Sequence, residues 1–316
     1  MRRRSLLLGL ALVGAVLMFS GTPAGAAEQT VHIGYQKASA GLILAKESGA
    51  LEQRLKTLGF ALTWHEFASG PPMLEALNVG SIALAMTGDT PPIFAQAAGA
   101  HLVYAGYEPA KPDSSAILVL KDSPLSSVSD LKGKKIAFDK GSSAHNLVLT
   151  TLEKAGLGIK DITAIYLAPA EAQAAFQTKA VDAWAIWDPF YAQVESTTPV
   201  RALTTGRGLV PNYTFYLAAD DFARRHPEVL TAVFDELAKN QAWRERAPDE
   251  VSALLARWAG IDKKVFDVVM ARRPDLTVRP VPAEVIAEQQ AIADIFYKNG
   301  ILPKPIAVSE AAWKGN

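Results

Sequence analysis

A short turn of small and polar residues, Gly141-Ser142-Ser143, lies between an apolar segment typical of a strand and an amphipathic segment typical of a helix. Backbone N–H groups at the start of a helix carry partial positive charge and need acceptors, so such a turn is suited to bind an anion. The serine hydroxyls and the Asn146 amide add neutral donors. The nucleotide-binding pattern G-x-x-x-x-G-K-[ST] is absent from the sequence, so the anion is not expected to be a nucleotide.

Three other loops also follow predicted strands and carry polar or small residues, at 35–41, 87–92 and 184–190. In open α/β sheets, ligands bind at the carboxyl ends of strands, in the loops that lead into helices. A site of neutral donors suits a small oxyanion, and aromatic neighbours can hold an organic group attached to it. The candidate ligand-binding residues are therefore Gln36, Gly88, Asp89, Ser142, Ser143, His145, Asn146, Trp187 and Asp188.

Several of these residues also have a purely structural explanation. Asp89 and Asp188 lie at the predicted starts of helices next to proline, where a carboxylate can serve only as a helix cap. Trp184 and Trp187 are three positions apart on a predicted strand, so they face opposite sides. We expect one of the two tryptophans in the core and the other beside the cleft.

Catalysis is not expected, and neither is a metal or another cofactor. The nucleophile pattern G-x-S-x-G does not occur, and Ser143 and His145 point in different directions from the start of a helix. The five histidines are widely separated and form no H-E-x-x-H motif. The sequence has no cysteine, which excludes disulfides, thiolate catalysis and cysteine metal sites.

The first 26 residues differ from the rest of the chain. Arginines at 2–4 precede an apolar segment at 6–19 and a small-residue cleavage pattern at 24–26, an order typical of a secretory signal peptide. A membrane helix is the alternative, but the apolar segment is shorter than the roughly 20 residues that a span needs. The arginines also fit a twin-arginine signal, so two export routes stay open.

The formal charge of the 316-residue chain is zero, so there is no basic excess of the kind that nucleic-acid-binding proteins carry. Removal of residues 1–26 leaves 29 of the 32 basic residues against 32 acidic ones, a charge of −3. With no cysteine to carry a lipid anchor, we predict an exported protein of the periplasm.

From residue 27 onwards, apolar segments alternate with segments of helical spacing. Strands are expected at 31–36, 61–67, 82–88 and 101–107, with a helix across 41–55. Strands separated by helices predict parallel sheets in a doubly wound α/β architecture.

A polar segment rich in proline at 107–115 is typical of an extended crossing to a second α/β series. A later predicted strand at 212–219 returns to the first series, and helices follow at 221–245, 249–259, 263–272 and 283–299. The predicted domains are a signal peptide at 1–26, a first lobe at 27–113 completed by 215–316, and a second lobe at 114–214. A ligand cleft would lie between the lobes.

Long motifs run through the chain after residue 26. They are IGYQK at 33–37, GPPMLEALNVGSI at 70–82, TGDTPPIFAQAAGAHLVY at 87–104, KGSSAHNL at 140–147, VDAWAIWDPFY at 181–191, FYLAA at 215–219 and AEVIAEQQAIADIFY at 283–297. Together these motifs resemble those of the periplasmic aliphatic sulfonate-binding proteins of ABC importers, in the wider nitrate/sulfonate/taurine group.

The resemblance implies a type II periplasmic binding protein fold, with two doubly wound lobes around a ligand cleft and a two-strand hinge. It implies an alkanesulfonate ligand, with its head group near the predicted donors Gln36, Gly88, Ser142 and Ser143, close to His145, and its tail toward Trp187. It also implies delivery to a membrane permease driven by an ATPase, for sulfur uptake, by a protein that is a monomer. The family has glycine where this chain has Ala38, so details of the head-group contacts differ.

Two alternatives stay open. The same fold could carry taurine, nitrate or an aromatic sulfonate, and the ammonium of taurine would need an acid such as Asp188. The chain could also be an enzyme such as a sulfinate desulfinase, but that chemistry on this fold uses a cysteine, which this sequence lacks. Since a sulfonate has no proton to donate at pH 7, we expect Asp89 to point into the structure. His145 is expected to act indirectly, by positioning the helix start or by donating once.

Overall fold

The computed structural model describes residues 29–315, so the predicted signal peptide lies outside the described residues. The described strands are β1 Gln29–Tyr35, β2 Phe60–Glu66, β3 Leu84–Gly88, β4 Leu102–Glu108, β5 Ser115–Leu120, β6 Lys135–Phe138, β7 Thr163–Tyr166, β8 Ala183–Trp187, β9 Val200–Thr205 and β10 Thr214–Ala219. They form two five-stranded sheets, in the orders β2-β1-β3-β10-β4 and β7-β6-β8-β5-β9. The first of these sheets with its helices forms the first lobe, and the second sheet with its helices forms the second lobe.

The helices lie on both faces of each sheet, which confirms the α/β prediction. They are α1 Ala40–Ser48, α2 Ala50–Thr57, α3 Gly70–Asn78, α4 Pro91–Ala97, α5 Ser143–Lys154, α6 Pro169–Gln177, α7 Phe190–Thr197, α8 Asp220–Arg225, α9 Pro227–Arg246, α10 Pro248–Ala259, α11 Lys263–Arg272 and α12 Ala283–Lys298. In the first lobe, α1, α9, α10 and α11 cover one face of the sheet and α3, α4 and α12 cover the other.

Two predicted helices are each divided in two. The helix expected across 41–55 breaks at Gly49, whose φ of 64° lies in the left-handed region that favours glycine and ends α1. The helix expected at 221–245 breaks at His226, because Pro227 has no N–H to continue α8 and instead begins α9.

The sheets are mixed, so the expectation of parallel sheets is wrong for two strands. β10 runs antiparallel to β3 and β4, and β5 runs antiparallel to β8 and β9. Parallel neighbours need a crossover connection, usually through a helix. β5 and β10 are instead reached by short segments from the other sheet, at 109–114 and 206–213, so their direction is free to reverse.

The two crossing segments bond to each other. The backbone N–H of Lys111 donates to the Pro211 carbonyl at 2.9 Å, and the side-chain amide of Asn212 donates to the Ser114 hydroxyl at 3.0 Å. The Gly206 N–H donates to the carbonyl of Pro112 at 3.0 Å. The connection between the lobes is therefore a paired, hydrogen-bonded unit. Of the helices described, none is both long and apolar enough to cross a membrane.

Candidate functional site

A cavity of about 50 Å³ lies between the two lobes, beside the crossing segments. Its wall is formed by strand ends and helix starts of both sheets, by the crossing segments and by α11. Six of the predicted site residues line it, namely Gln36, Gly88, Ser142, Ser143, Trp187 and Asp188. Three do not: Asp89, His145 and Asn146.

The first lobe contributes Gln36 from the end of β1 and Gly88 from the end of β3. Gln36 is buried, and its side-chain amide donates to the Met86 carbonyl at 3.3 Å. This bond holds the amide at the cavity and leaves its carbonyl oxygen and second N–H for other contacts. Gly88 faces Ser143 of the second lobe so closely that a Cβ added to it would lie 2.0 Å from the Ser143 hydroxyl oxygen. Only glycine allows the lobes to meet at this point.

The second lobe contributes the start of α5. Ser142 precedes the helix, and its hydroxyl donates to the Asp139 carbonyl at 2.7 Å. Its own carbonyl accepts from the N–H groups of His145 and Asn146, at 3.0 and 3.3 Å. The first N–H groups of α5, with their partial positive charge, therefore lie at the cavity wall formed by Ser142 and Ser143.

His145 is fully buried behind this helix start. Its Nδ1 accepts from the Gly141 N–H at 3.2 Å, which fixes the turn before α5. Aromatic rings surround it from both lobes, with the centroid of Phe138 at 4.9 Å and that of Phe296 at 4.9 Å. Burial lowers the pKa of His145 to about 3, helped by the charge of Lys140, so the ring is neutral at pH 7. An indirect role in positioning the helix start stays a prediction for His145.

Asn146 points along α5 rather than into the cavity. It is 1% exposed, and its side-chain oxygen accepts from the Thr150 hydroxyl at 3.2 Å, one helical turn further on. Its amide nitrogen has no hydrogen-bond partner among residues 29–315.

Asp89 is fully buried at the start of α4. One carboxylate oxygen accepts from the Thr90 hydroxyl at 2.9 Å, and the backbone carbonyl accepts from the side chain of Gln289. Burial raises the pKa of Asp89, against the opposing effect of the Ser143 and Thr90 side chains and of Lys111. The carboxylate thus lies behind the wall, as expected from the repulsion it would exert on an anion.

Trp184 and Trp187 divide between the core and the site. Trp184 is fully buried beside Phe176, whereas Trp187 lines the cavity. Asp188 follows directly and also lines the cavity, and one of its oxygens accepts from the Ala192 N–H at 3.0 Å. Burial raises its pKa to about 6, against the opposing charge of Arg272.

Cations also line the cavity, although none was among the residues predicted for the site. Lys111, in the first crossing segment, lines the cavity, and its ammonium donates to the Asn212 carbonyl at 2.7 Å and to the Thr214 hydroxyl at 2.6 Å. Burial lowers the pKa of Lys111 to about 7, with a further contribution from Arg273. Lys37 lines the same cavity. Lys111 could have been predicted from the sequence, because a lysine in a segment that crosses between two lobes must lie near the cleft between them.

Arg273, just after α11, is a third cation at the cavity, but its charge is compensated. It is 5% exposed, and its guanidinium binds both the carboxylate of Glu108 and the carbonyl of Ala38. Glu108 also accepts from the Tyr216 hydroxyl at 2.8 Å. Nothing in the local sequence around Arg273 indicates these distant partners.

The apolar part of the wall comes largely from α11. Phe266, Val269 and Met270 line the cavity, and Trp187 lines it from the second lobe. The three α11 side chains also belong to the core of the first lobe. The cavity thus combines a polar group of donors with an apolar surface. Among residues 29–315, no group of three or more histidines and carboxylates could hold a metal ion.

Comparisons with known proteins find similar sequences and structures. The family model described as NMT1/THI5 like matches residues 37–251. A protein of Escherichia coli K12 named as an aliphatic sulfonates-binding protein is 47% identical over 308 residues, which cover 96% of this chain and 95% of that protein.

Two solved structures are similar over nearly the whole chain. The alkanesulfonate-binding protein from Xanthomonas axonopodis pv. citri, bound to MOPS, has a TM-score of 0.86 and 46% identity, with 91% of this chain and 99% of that chain covered. The periplasmic aliphatic sulphonate binding protein from Escherichia coli has a TM-score of 0.83 and 46% identity, with 91% of this chain and 93% of that chain covered.

Proposed function

The chain belongs to the NMT1/THI5-like family, and we propose that it is a periplasmic binding protein that captures aliphatic sulfonates for an ABC importer. The protein is a binding protein and not an enzyme, in keeping with the similar proteins named above. Delivery of the ligand to a membrane permease, for use as a sulfur source, and a monomeric state are parts of the proposal. So is export by a signal peptide at residues 1–26.

The observation that carries the proposal is the composition of the cavity wall. Residues of both lobes meet there, with Gln36 and Gly88 on one side and the start of α5 on the other. Lys111 supplies a positive charge, while the nearby carboxylate of Asp89 lies behind the wall. A sulfonate is singly charged and has no proton to donate at pH 7, so donors and one cation satisfy it. A phosphate monoester, which carries a proton near neutral pH, would need an acceptor as well.

The apolar wall accounts for the preference for an organic sulfonate over inorganic sulfate. The side chains of Phe266, Val269 and Met270 offer a surface that an alkyl chain can cover, with Trp187 opposite. Burial of each methylene contributes about 0.8 kcal/mol, so a tail of two to four carbons adds appreciably to the affinity. The Xanthomonas axonopodis structure contains MOPS, which is itself an alkylsulfonate.

Taurine is the alternative that the geometry makes testable, because Asp188 lines the cavity. One oxygen of this carboxylate already accepts from Arg272 at 3.3 Å and from the Ala192 N–H at 3.0 Å. The ammonium group of taurine would have to share Asp188 with the guanidinium of Arg272, which already neutralises it. We therefore rank taurine below alkanesulfonates with no amine.

A thermal-unfolding screen of the protein without residues 1–26 tests the proposal. The panel contains ethane-, butane- and octanesulfonate, taurine, nitrate, sulfate and phosphate in a Tris buffer, because common zwitterionic buffers are sulfonates. A ligand at 100 times its Kd stabilises by about 2.7 kcal/mol, which for a chain of this size raises Tm by roughly 5–10 °C. We expect this rise with alkanesulfonates and none with sulfate, nitrate or phosphate. A rise with taurine or nitrate alone would refute the proposed ligand class.

A further inference from the structure

Helix α11 connects the two lobes through two adjacent arginines, Arg272 and Arg273. The helix itself belongs to the first lobe, because Phe266, Val269 and Met270 pack in the core of that lobe. Arg273 fixes the end of the helix to the same lobe, through Glu108 at the end of β4. The last turn of α11 is therefore a rigid part of the first lobe.

Arg272 extends from this fixed end to the second lobe. Its guanidinium donates to Glu195 of α7 at 2.6 Å and to Asp188 at 3.3 Å, and it lies 3.8 Å from the centre of the Tyr191 ring. The side chain is 19% exposed, so these contacts are shielded from water more than those of a typical surface ion pair. One cation of the first lobe thus binds two carboxylates and one aromatic ring of the second.

These contacts lie directly beside the cavity. Asp188 lines the cavity from the second lobe, and Met270 lines it two positions before Arg272. An alkyl group bound against α11 would therefore rest on the helix that presents Arg272. A rotation that separates the lobes would break all three contacts, because each joins the first lobe to the second.

We propose that Arg272 is a positioning residue that holds the second lobe closed over the bound sulfonate, through Glu195, Asp188 and Tyr191. This inference rests on the proposed function for the identity of the ligand, but the contacts themselves do not depend on it. The role of Arg272 is to slow opening and hence release. Arg272 is not part of the cavity wall, so the choice between sulfonate and other anions should be independent of it.

Stopped-flow kinetics with butanesulfonate separate this role from a general loss of structure. In Arg272→Ala, we expect koff to rise about tenfold while kon changes less than twofold, since opening is altered and encounter is not. Arg272→Lys keeps the positive charge but can bind only one of the two carboxylates at a time. Its koff should therefore lie between those of Arg272→Ala and the unsubstituted protein. The matched control is Arg54→Ala, which removes a 2.5 Å ion pair with Asp235 inside the first lobe. A koff no higher than that of the control would overturn the proposal.

A ligand-independent measurement distinguishes failure of this proposal from failure of the proposed function. The chain has no cysteine, so Val79→Cys and Lys132→Cys introduce one spin-label site in each lobe. Double electron–electron resonance then reports the interlobe distance, with and without butanesulfonate. We expect a smaller closed fraction in Arg272→Ala than in Arg54→Ala in both conditions. Equal closed fractions would refute the role of Arg272, whereas absence of sulfonate binding by the unsubstituted protein would refute only the proposed ligand.

Discussion

Replacement of Lys111 by methionine removes one of the three cations that line the cavity between the two lobes. The ammonium has three N–H donors, and two of them bond to the Asn212 carbonyl at 2.7 Å and the Thr214 hydroxyl at 2.6 Å. The third is available to a ligand in the cavity that Lys111 lines. A hydrogen bond from a charged donor contributes about 1.5–3 kcal/mol, so Lys111→Met should weaken sulfonate binding about ten- to hundredfold.

The pH dependence gives a sharper test, because burial lowers the pKa of Lys111 to about 7. Near pH 7 about half of the unliganded molecules carry the charge, and a bound anion favours the charged form and raises the pKa. Binding should then take up about half a proton at pH 7 and close to one at pH 8, by linkage. Affinity should fall up to about tenfold for each pH unit above 7.

Isothermal titration calorimetry with butanesulfonate checks both expectations. Measurements in two buffers of different ionisation enthalpy, neither of which contains a sulfonate, give the number of protons taken up. Lys46→Met is the control, because Lys46 bonds to the Tyr35 hydroxyl at 2.8 Å and is not part of the cavity wall. If Lys111→Met kept the pH profile of the unsubstituted protein, or if the binding enthalpy were the same in both buffers, the assignment of Lys111 as the countercharge would be wrong.

Two further substitutions test the helix start and the contact between the lobes. Gly88→Ala places a Cβ 2.0 Å from the Ser143 hydroxyl oxygen, so closure of the two lobes should be strained. The affinity for butanesulfonate, measured by calorimetry, should fall about tenfold. An unchanged Kd would contradict the close approach of the lobes at this point. The pKa of His145 is lowered to about 3, so the unfolded chain binds a proton below about pH 6.5 that the folded protein rejects, and stability is lost as pH falls through that range. By pH 4.5 this loss in the free energy of unfolding is about 2–3 kcal/mol. Urea unfolding at pH 7 and 4.5 should show the loss in the unsubstituted protein and not in His145→Gln. Equal losses in these two proteins would exclude His145 as the cause.

The local pattern of the sequence is sufficient for the secondary structure and the class of fold. Alternation of apolar and helical segments depends on neighbours a few positions apart, and the strands observed at 84–88 and 102–108 lie within one to two residues of those predicted. Direction within a sheet is not local information. The antiparallel direction of β5 and β10 depends on where the chain crosses between the lobes. The periodicity of apolar residues carries no information on those crossings.

Side-chain direction separates the candidate residues in the same way. Ser142 and Ser143 line the cavity, but His145 and Asn146, two and three positions after Ser143 on the same helix, do not. In a helix, each position points about 100° from the one before it, so residues of one motif face different surroundings. The sequence identified the segment, and the packing of α5 against Phe138 and Phe296 decided which of its side chains line the cavity.

The sequence by itself determined the turn at 141–143 that we predict to bind an anion, the other loops at strand ends and the motifs of the sulfonate-binding family, because each is a run of adjacent residues. The tertiary structure decided which charges reach the cavity. Lys111 and Arg273 lie 162 positions apart, and both line the cavity because the crossing segments and the end of α11 pack together. Whether a buried cation stays free for a ligand or is neutralised, as Arg273 is by Glu108, depends on such distant partners. Contacts of that kind arise only when the chain is folded.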